Sequence, residues 1–173
     1  MLSLPEHEKA KVVISDLLKV LLDELDMPWE SLGATTFRRE EMAAGIEPDN
    51  CFDIQPQARM VGEDRIDLAV DPPLDLVIEI DVTSTTTLQA YEALQVPELW
   101  CYHNRTLQIF VLRDGTYVLS HRSPTFPHIP VVEGMMQFRN EPNGRDCSNL
   151  ASLSTMDTGA YPAMISQERG RRR

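Results

Sequence analysis

The stretch that decides the fold is LDLVIEIDV, residues 74–82. It is aliphatic and β-branched, it is preceded by Pro72-Pro73 and followed by Thr83, and it is too short for a core helix, so it predicts a strand. Side chains alternate along a strand, which puts Asp75, Val77, Glu79 and Asp81 on one face and Leu76, Ile78 and Ile80 on the other. The even-numbered set predicts a side packed against a core. The odd-numbered set is harder to place, because acids gathered on one side of a half-buried strand repel one another in a low dielectric. Solvent at the strand end, a basic partner or a divalent cation has to offset that repulsion. Acids on a strand are most often the wet face of an antiparallel sheet, and an E-x-D spacing taken alone favours that plain reading.

Working outward, a second acidic corner precedes this strand at Glu47-Pro48-Asp49, leading into NCFDIQ, residues 50–55. Proline fixes its own φ and biases the residue before it toward an extended shape, so Asp49 enters the next strand in a set direction. If the two strands are neighbours, Asp49 and Glu79 meet at one point. An oxygen-only pair of this kind suits Mg²⁺ or Mn²⁺, which keep several waters and bind through one or two carboxylates.

The other elements give an α/β order. Residues 5–25 carry apolar side chains at Ala10, Val13, Ile14, Leu17, Leu18, Leu21 and Leu25, the three-and-four spacing of an amphipathic helix. Ser3 suits the cap and Pro5 the first turn. Residues 34–39 alternate weakly as a strand, 40–44 read as a helical turn, and 65–70 (RIDLAV) as a strand. Residues 85–94 read as a helix with Ser84 as cap, and 98–103 (ELWCYH) as a strand. Residues 107–112 and 116–120 flank Asp114-Gly115, a hairpin signal, and 128–138 predict a last short helix. A helix between two strands permits a parallel crossover, so the sheet is expected to be mixed.

Composition sets the bounds. The 173 residues carry 27 acids against 16 bases, a net charge of −11, which argues against a general nucleic-acid coat protein or a basic membrane binder. From residue 141 onward there are four acids and five bases, so residues 1–140 hold the remaining 23 acids and 11 bases, a net of −12. One domain over 1–140 is expected. The Ser-, Thr-, Asn- and Gly-rich tail, 141–173, reads as mostly disordered. The longest apolar run is far short of the roughly 20 residues that a bilayer span requires. No secretory signal is visible, and Cys51, Cys101 and Cys147 form no CxxC pair, so a cytoplasmic protein with reduced thiols is expected.

Taken in order, EPDNCFDI, DPPLDLVIEIDVTS and LQAYEALQVPELWCY resemble the Uma-type restriction-endonuclease-like family of the PD-(D/E)XK nuclease superfamily, over about residues 5–135. The family pattern is a Pro-Asp leading a strand, an Asp-Leu-Val-Ile-Glu-type strand, a Ser/Thr-rich turn, a helix ending in Tyr, and a Val-Pro-Glu-x-Trp strand. The resemblance implies a restriction-endonuclease-like mixed β-sheet flanked by helices, and Mg²⁺-dependent (or Mn²⁺-dependent) hydrolysis of DNA phosphodiesters that leaves a 5′-phosphate. Homodimers are common among such nucleases. It also implies that Asp49 and Glu79 hold the metal. Asp81 stands where the superfamily often has lysine, and is a supporting acid, a ligand to a second ion, or a solvated residue. The resemblance further implies that Glu6 on the first helix approaches the site, as helix-borne acids do in related nucleases.

The pattern is broken at one place. Many members carry the lysine on the following helix, four residues before the Tyr, and here that residue is Thr87. No Lys or Arg lies between Arg65 and Arg105. Threonine supplies no positive charge, and losing a transition-state stabiliser costs orders of magnitude in rate. Lys9, Lys11, Lys19 and Arg59 are the candidate substitutes, and a catalytically dead nuclease-fold binding or assembly protein is the alternative. The four histidines lack ligand spacing and read as surface or hairpin residues, Trp100 and Tyr102 read as packing, and Trp29 reads as a seal on the first helix.

Overall fold

The first helix, α1 (Leu4–Glu24), buries Ala10, Ile14, Leu17, Leu18, Leu21 and Leu22 along one stripe. The structure, a computed structural model, describes residues 4–37, 46–54, 74–80 and 85–140. The expected strand at 65–70, the turn at 40–44, the Ser3 cap, Asp81 and the tail 141–173 lie outside the described residues. After α1 come β1 (Trp29–Ser31), β2 (Asn50–Ile54), β3 (Leu76–Ile80), α2 (Thr85–Leu94), β4 (Glu98–His103), β5 (Thr106–Arg113), β6 (Thr116–Ser120) and α3 (Val131–Asn140).

The strands lie in sequence order in one six-stranded sheet. β3 and β4 pair in parallel, joined through α2, and the other neighbours are antiparallel. The mixed sheet expected from the helix between two strands is therefore present.

Strand parity sorts the core into two layers. Leu76, Ile78 and Ile80 pack with the α1 stripe, Trp100, Phe126 and the α3 residues Val131 and Met135. Val77, Cys51, Leu99 and Cys101 face the other way, against Tyr91 and Leu94 of α2. Both faces of β3 are thus covered, and burial of each large aliphatic side chain contributes roughly 1.5–3 kcal/mol. Among the described residues no helix is long and apolar enough to cross a membrane.

Two turns follow from backbone chemistry. Asp114 (φ 50°) and Gly115 (φ 80°) both sit in the left-handed region, as a two-residue hairpin loop of the twist-compatible kind requires. Asn104 (φ 48°) and Arg105 (φ 64°) make the matching turn between β4 and β5.

Three expectations shift. Residues 34–37, the described part of the expected 34–39 strand, do not form a strand of the sheet; Phe37 makes an isolated bridge with Ile46, beyond the left-handed Gly33 at φ 60°. The edge strand is instead Trp29–Ser31, held by pairing to β2. Trp29 also seals the helix end as expected, its Nε1 donating to Asp23 Oδ1 at 2.8 Å. The last helix begins later than 128, because Ile129 precedes a proline and is biased away from helix; Pro130 then accepts the bond from Gly134 N at 3.0 Å.

Glu98 is a charged side chain in the core, 1% exposed. Its oxygens accept from Trp100 Nε1 at 2.6 Å, Thr125 N at 3.1 Å and Thr125 Oγ1 at 2.7 Å. The carboxylate pins the loop before α3 to β4. Glu98→Ala strands one buried and two half-buried donors and should lower the unfolding free energy in a urea titration by about 3 kcal/mol. Glu98→Gln keeps an acceptor oxygen and should cost less.

Candidate active site

The register of β2 and β3 builds the site. Asn50 pairs with Ile78 and Cys51 with Val77, so Asp49, one residue before β2, arrives beside the end of β3. There its Oδ2 accepts from Ile80 N at 2.8 Å. Pro48 before it is buried and fixes the approach. The Asp49 side chain lies within hydrogen-bonding reach of Glu79. The two acids expected to meet do meet, on one layer of the sheet.

Glu79 is 8% exposed, so the wet-face reading fails for this position. Its Oε1 accepts a short hydrogen bond from the Tyr91 hydroxyl. Burial pushes the Glu79 carboxyl up to about 7; the Tyr91 hydroxyl opposes the rise, and the charge and hydrogen bond of Asp49 add to it. Burial and the Glu79 charge also push the Tyr91 hydroxyl far up, so Tyr91 stays a neutral donor to the carboxylate.

A third group reaches this point from α1. His7 Nε2 lies 3.4 Å from Asp49 Oδ2, and its Nδ1 lies 3.4 Å from Glu8 Oε1. His7, read as a surface residue, is half-buried and contacts Asp49. A single histidine more than forty residues from its partner leaves no spacing signal, which is why the sequence pattern did not expose it. Glu6, on the preceding position of the helix, is exposed.

The candidate cations are placed in turn. Lys9 is exposed, Lys11 Nζ lies 3.8 Å from Glu8 Oε2 and Lys19 Nζ 3.2 Å from Asp16 Oδ1, and Arg59 lies outside the described residues. Thr87 stands in α2 one helical turn before Tyr91.

The donor set fits a hard divalent ion. Two carboxylates converge, each with a second oxygen beyond the one engaged by Ile80 N or Tyr91, and such ions bind through one or two carboxylates and keep their waters. Among the described residues no group of three or more His, Cys, Asp or Glu is gathered into a cage for a metal, so waters and substrate oxygens would complete the shell.

A second acid pair sits at the other end of the same two strands. Continuing the register one step beyond Phe52–Leu76 puts Asp53 opposite Asp75, and Glu30 pairs with Asp53 on the far side. Asp75 Oδ2 accepts from Ile54 N at 2.7 Å, while Asp53 Oδ2 is buried without a partner among the described residues. Burial first, then the hydrogen bond and charge of Asp75, push the Asp53 carboxyl up to about 6. Nothing in the spacing of the sequence exposed this opposition, because it depends on pairing register.

Comparison with known proteins agrees with the architecture. Residues 1–138 match the model of the Uma2 family, described as putative restriction endonuclease, and this chain belongs to that family. The six-stranded mixed sheet with flanking helices is the restriction-endonuclease-like arrangement that membership implies. No curated protein matches the chain.

The raised acids make stability depend on pH. The Glu79 carboxyl titrates near 7 when folded against an ordinary value of 4.5, so between these pH values the folded chain keeps a proton the unfolded chain has lost. Stability of the metal-free protein therefore falls as pH rises through that window and levels off above it. Asp53 adds a fall between its ordinary 3.8 and about 6. At pH 8 Glu79→Gln should exceed the wild type in unfolding free energy, by up to about 3 kcal/mol, and should match it near pH 4. Asp53→Asn should flatten the lower window. Chemical denaturation in EDTA across this pH range checks both.

Proposed function

We propose that this protein is a Mg²⁺-dependent DNA endonuclease, with Mn²⁺ as an accepted substitute, in which Asp49 and Glu79 hold the ion. The observation that carries the reading is the meeting of these two acids: one leads β2, the other is buried on β3, and the register between the strands makes them neighbours. Asp81, outside the described residues, completes the acids assigned to the site.

A bound divalent ion supplies a more acidic water and neutralises charge on the phosphate. The chain's own residues supply the frame. Ile80 N and the Tyr91 hydroxyl each hold one carboxylate oxygen. Burial keeps the Glu79 carboxyl protonated up to about pH 7 in the metal-free protein, so loading the ion displaces that proton and is favoured as pH rises. Hydrolysis of the phosphodiester leaves a 5′-phosphate on one product.

One specific observation favours a second reading, a catalytically dead nuclease-fold binding or assembly protein. The position that carries lysine in many family members is Thr87, and residues 66–104 hold no Lys or Arg, whereas phosphate binding usually draws on both.

A plasmid-nicking assay separates the two. With Mg²⁺ or Mn²⁺ the wild type should convert supercoiled plasmid to nicked and linear forms. Glu79→Ala and Asp49→Ala should each lose at least about a hundredfold in rate, the scale for removal of a principal electrostatic group. Absence of cleavage, with neither ion raising the melting temperature, would establish the inert scaffold.

A further inference from the structure

The contact between α1 and the acid pair goes beyond the two-carboxylate reading, although it rests on it. We infer that His7 is a positioning residue for Asp49, itself held by Glu8, in a chain Glu8–His7–Asp49 that fixes which carboxylate oxygen serves the ion.

The argument starts from the ring. An imidazole offers two distinct nitrogens, and the partner of one sets the role of the other. Here each nitrogen stands opposite a carboxylate at the same separation, 3.4 Å, Nδ1 facing Glu8 Oε1 and Nε2 facing Asp49 Oδ2. The His7 side chain is 26% exposed and Asp49 18%, whereas Glu8 is 60% exposed. The arrangement therefore runs from solvent inward, with the ring as its middle member.

The oxygen His7 faces is also the oxygen that accepts Ile80 N at 2.8 Å. Two groups from different elements, the β3 backbone amide by a hydrogen bond and the His7 ring by a 3.4 Å contact, thus converge on Oδ2. The carboxylate cannot rotate about its terminal bond without losing both. Oδ1 is left as the oxygen on which the metal-binding role falls. Partners behind a metal ligand fix its orientation in this way, and their loss typically weakens the metal about 10–100-fold. Glu8, the outer member, is 60% exposed, and ion pairs at such positions contribute little to folding.

Calorimetric titration of the full-length protein with Mn²⁺, beside metal-free melting curves, tests this. His7→Ala should bind Mn²⁺ about 10–100-fold more weakly with its metal-free Tm within about 2 °C of wild type. His7→Gln places an amide N–H near where Nε2 stood and should recover most of the affinity, whereas the shorter His7→Asn should not. Should His7→Ala melt well below wild type, Gln against Asn decides: Gln tighter supports the inference and equal affinities overturn it. His7→Ala binding as tightly as wild type overturns it, and so does His7→Gln as weak as His7→Ala, which would make the ring a direct ligand. A wild type that binds no Mn²⁺ removes the metal-site reading and this inference with it. A wild type that binds, with Glu79→Ala abolishing binding, leaves that reading standing while the His7 variants decide the rest.

Discussion

Everything at the candidate site depends on the antiparallel register of β2 against β3. Asn50 opposite Ile78 and Cys51 opposite Val77 bring Asp49 to the Ile80 amide, where a 2.8 Å hydrogen bond closes the corner. A one-residue slip would turn every side chain of β2 to the other face. It would take Phe52, which is wholly buried and packs on Trp29 at 6.0 Å between ring centroids, out of the α1 layer, and would carry Asp49 away from Glu79. The apolar packing of the α1 layer therefore holds the polar geometry of the α2 layer in place. That coupling works because the two side-chain sets alternate along the same short strand.

The register exacts a cost at both ends. At one end it brings Glu79, buried and raised to about 7, against Asp49; at the other it opposes Asp53 and Asp75, with Asp53 raised to about 6. Like charges directly across a strand pair are destabilising, and a carboxyl removed from water favours its neutral form. Glu98 is more deeply buried than either, yet three donors meet its oxygens. The contrast separates a structural acid from the acid pairs: Glu98 is supplied with partners by the loop it anchors, whereas Glu79 and Asp53 are each set against another carboxylate. Local conflicts retained in an otherwise consistent fold are where function is expected.

Much of this was legible in the sequence where a short pattern carries its own physics. The strands around Val77 and Trp100 and the helix at Thr85–Leu94 stand out by β-branched runs, alternation and a polar cap. The Asp114-Gly115 turn is legible because both residues tolerate the positive φ they adopt. The convergence of Asp49 and Glu79 followed from the Pro-Asp lead and from strand parity. What was hidden depends on tertiary pairing. Trp29–Ser31 is too short to show a period and becomes a strand through its neighbour. His7 meets Asp49 across the interval from α1 to β2, and the opposition of Asp53 and Asp75 needs a register that no spacing within either strand specifies.

The charge pattern gives the site an order of events on the proposed reading. The described donors around the acid pair are a backbone amide, a phenol and an imidazole, while Lys11 and Lys19 are engaged by Glu8 and Asp16 along α1. The amide and the phenol orient the carboxylates without bringing a positive charge, so on that reading the pair in its ionised form presents a negative potential to whatever approaches. Such a potential concentrates cations and repels phosphates. A polyanionic substrate is therefore opposed until a divalent ion has discharged the pair, and the absence of Lys and Arg across residues 66–104 makes that dependence stronger than it would be with a lysine on α2. On that reading a Thr87 site would lean on its ion for substrate attraction as well as for chemistry, and the tightness with which Asp49 and Glu79 held the ion would set both.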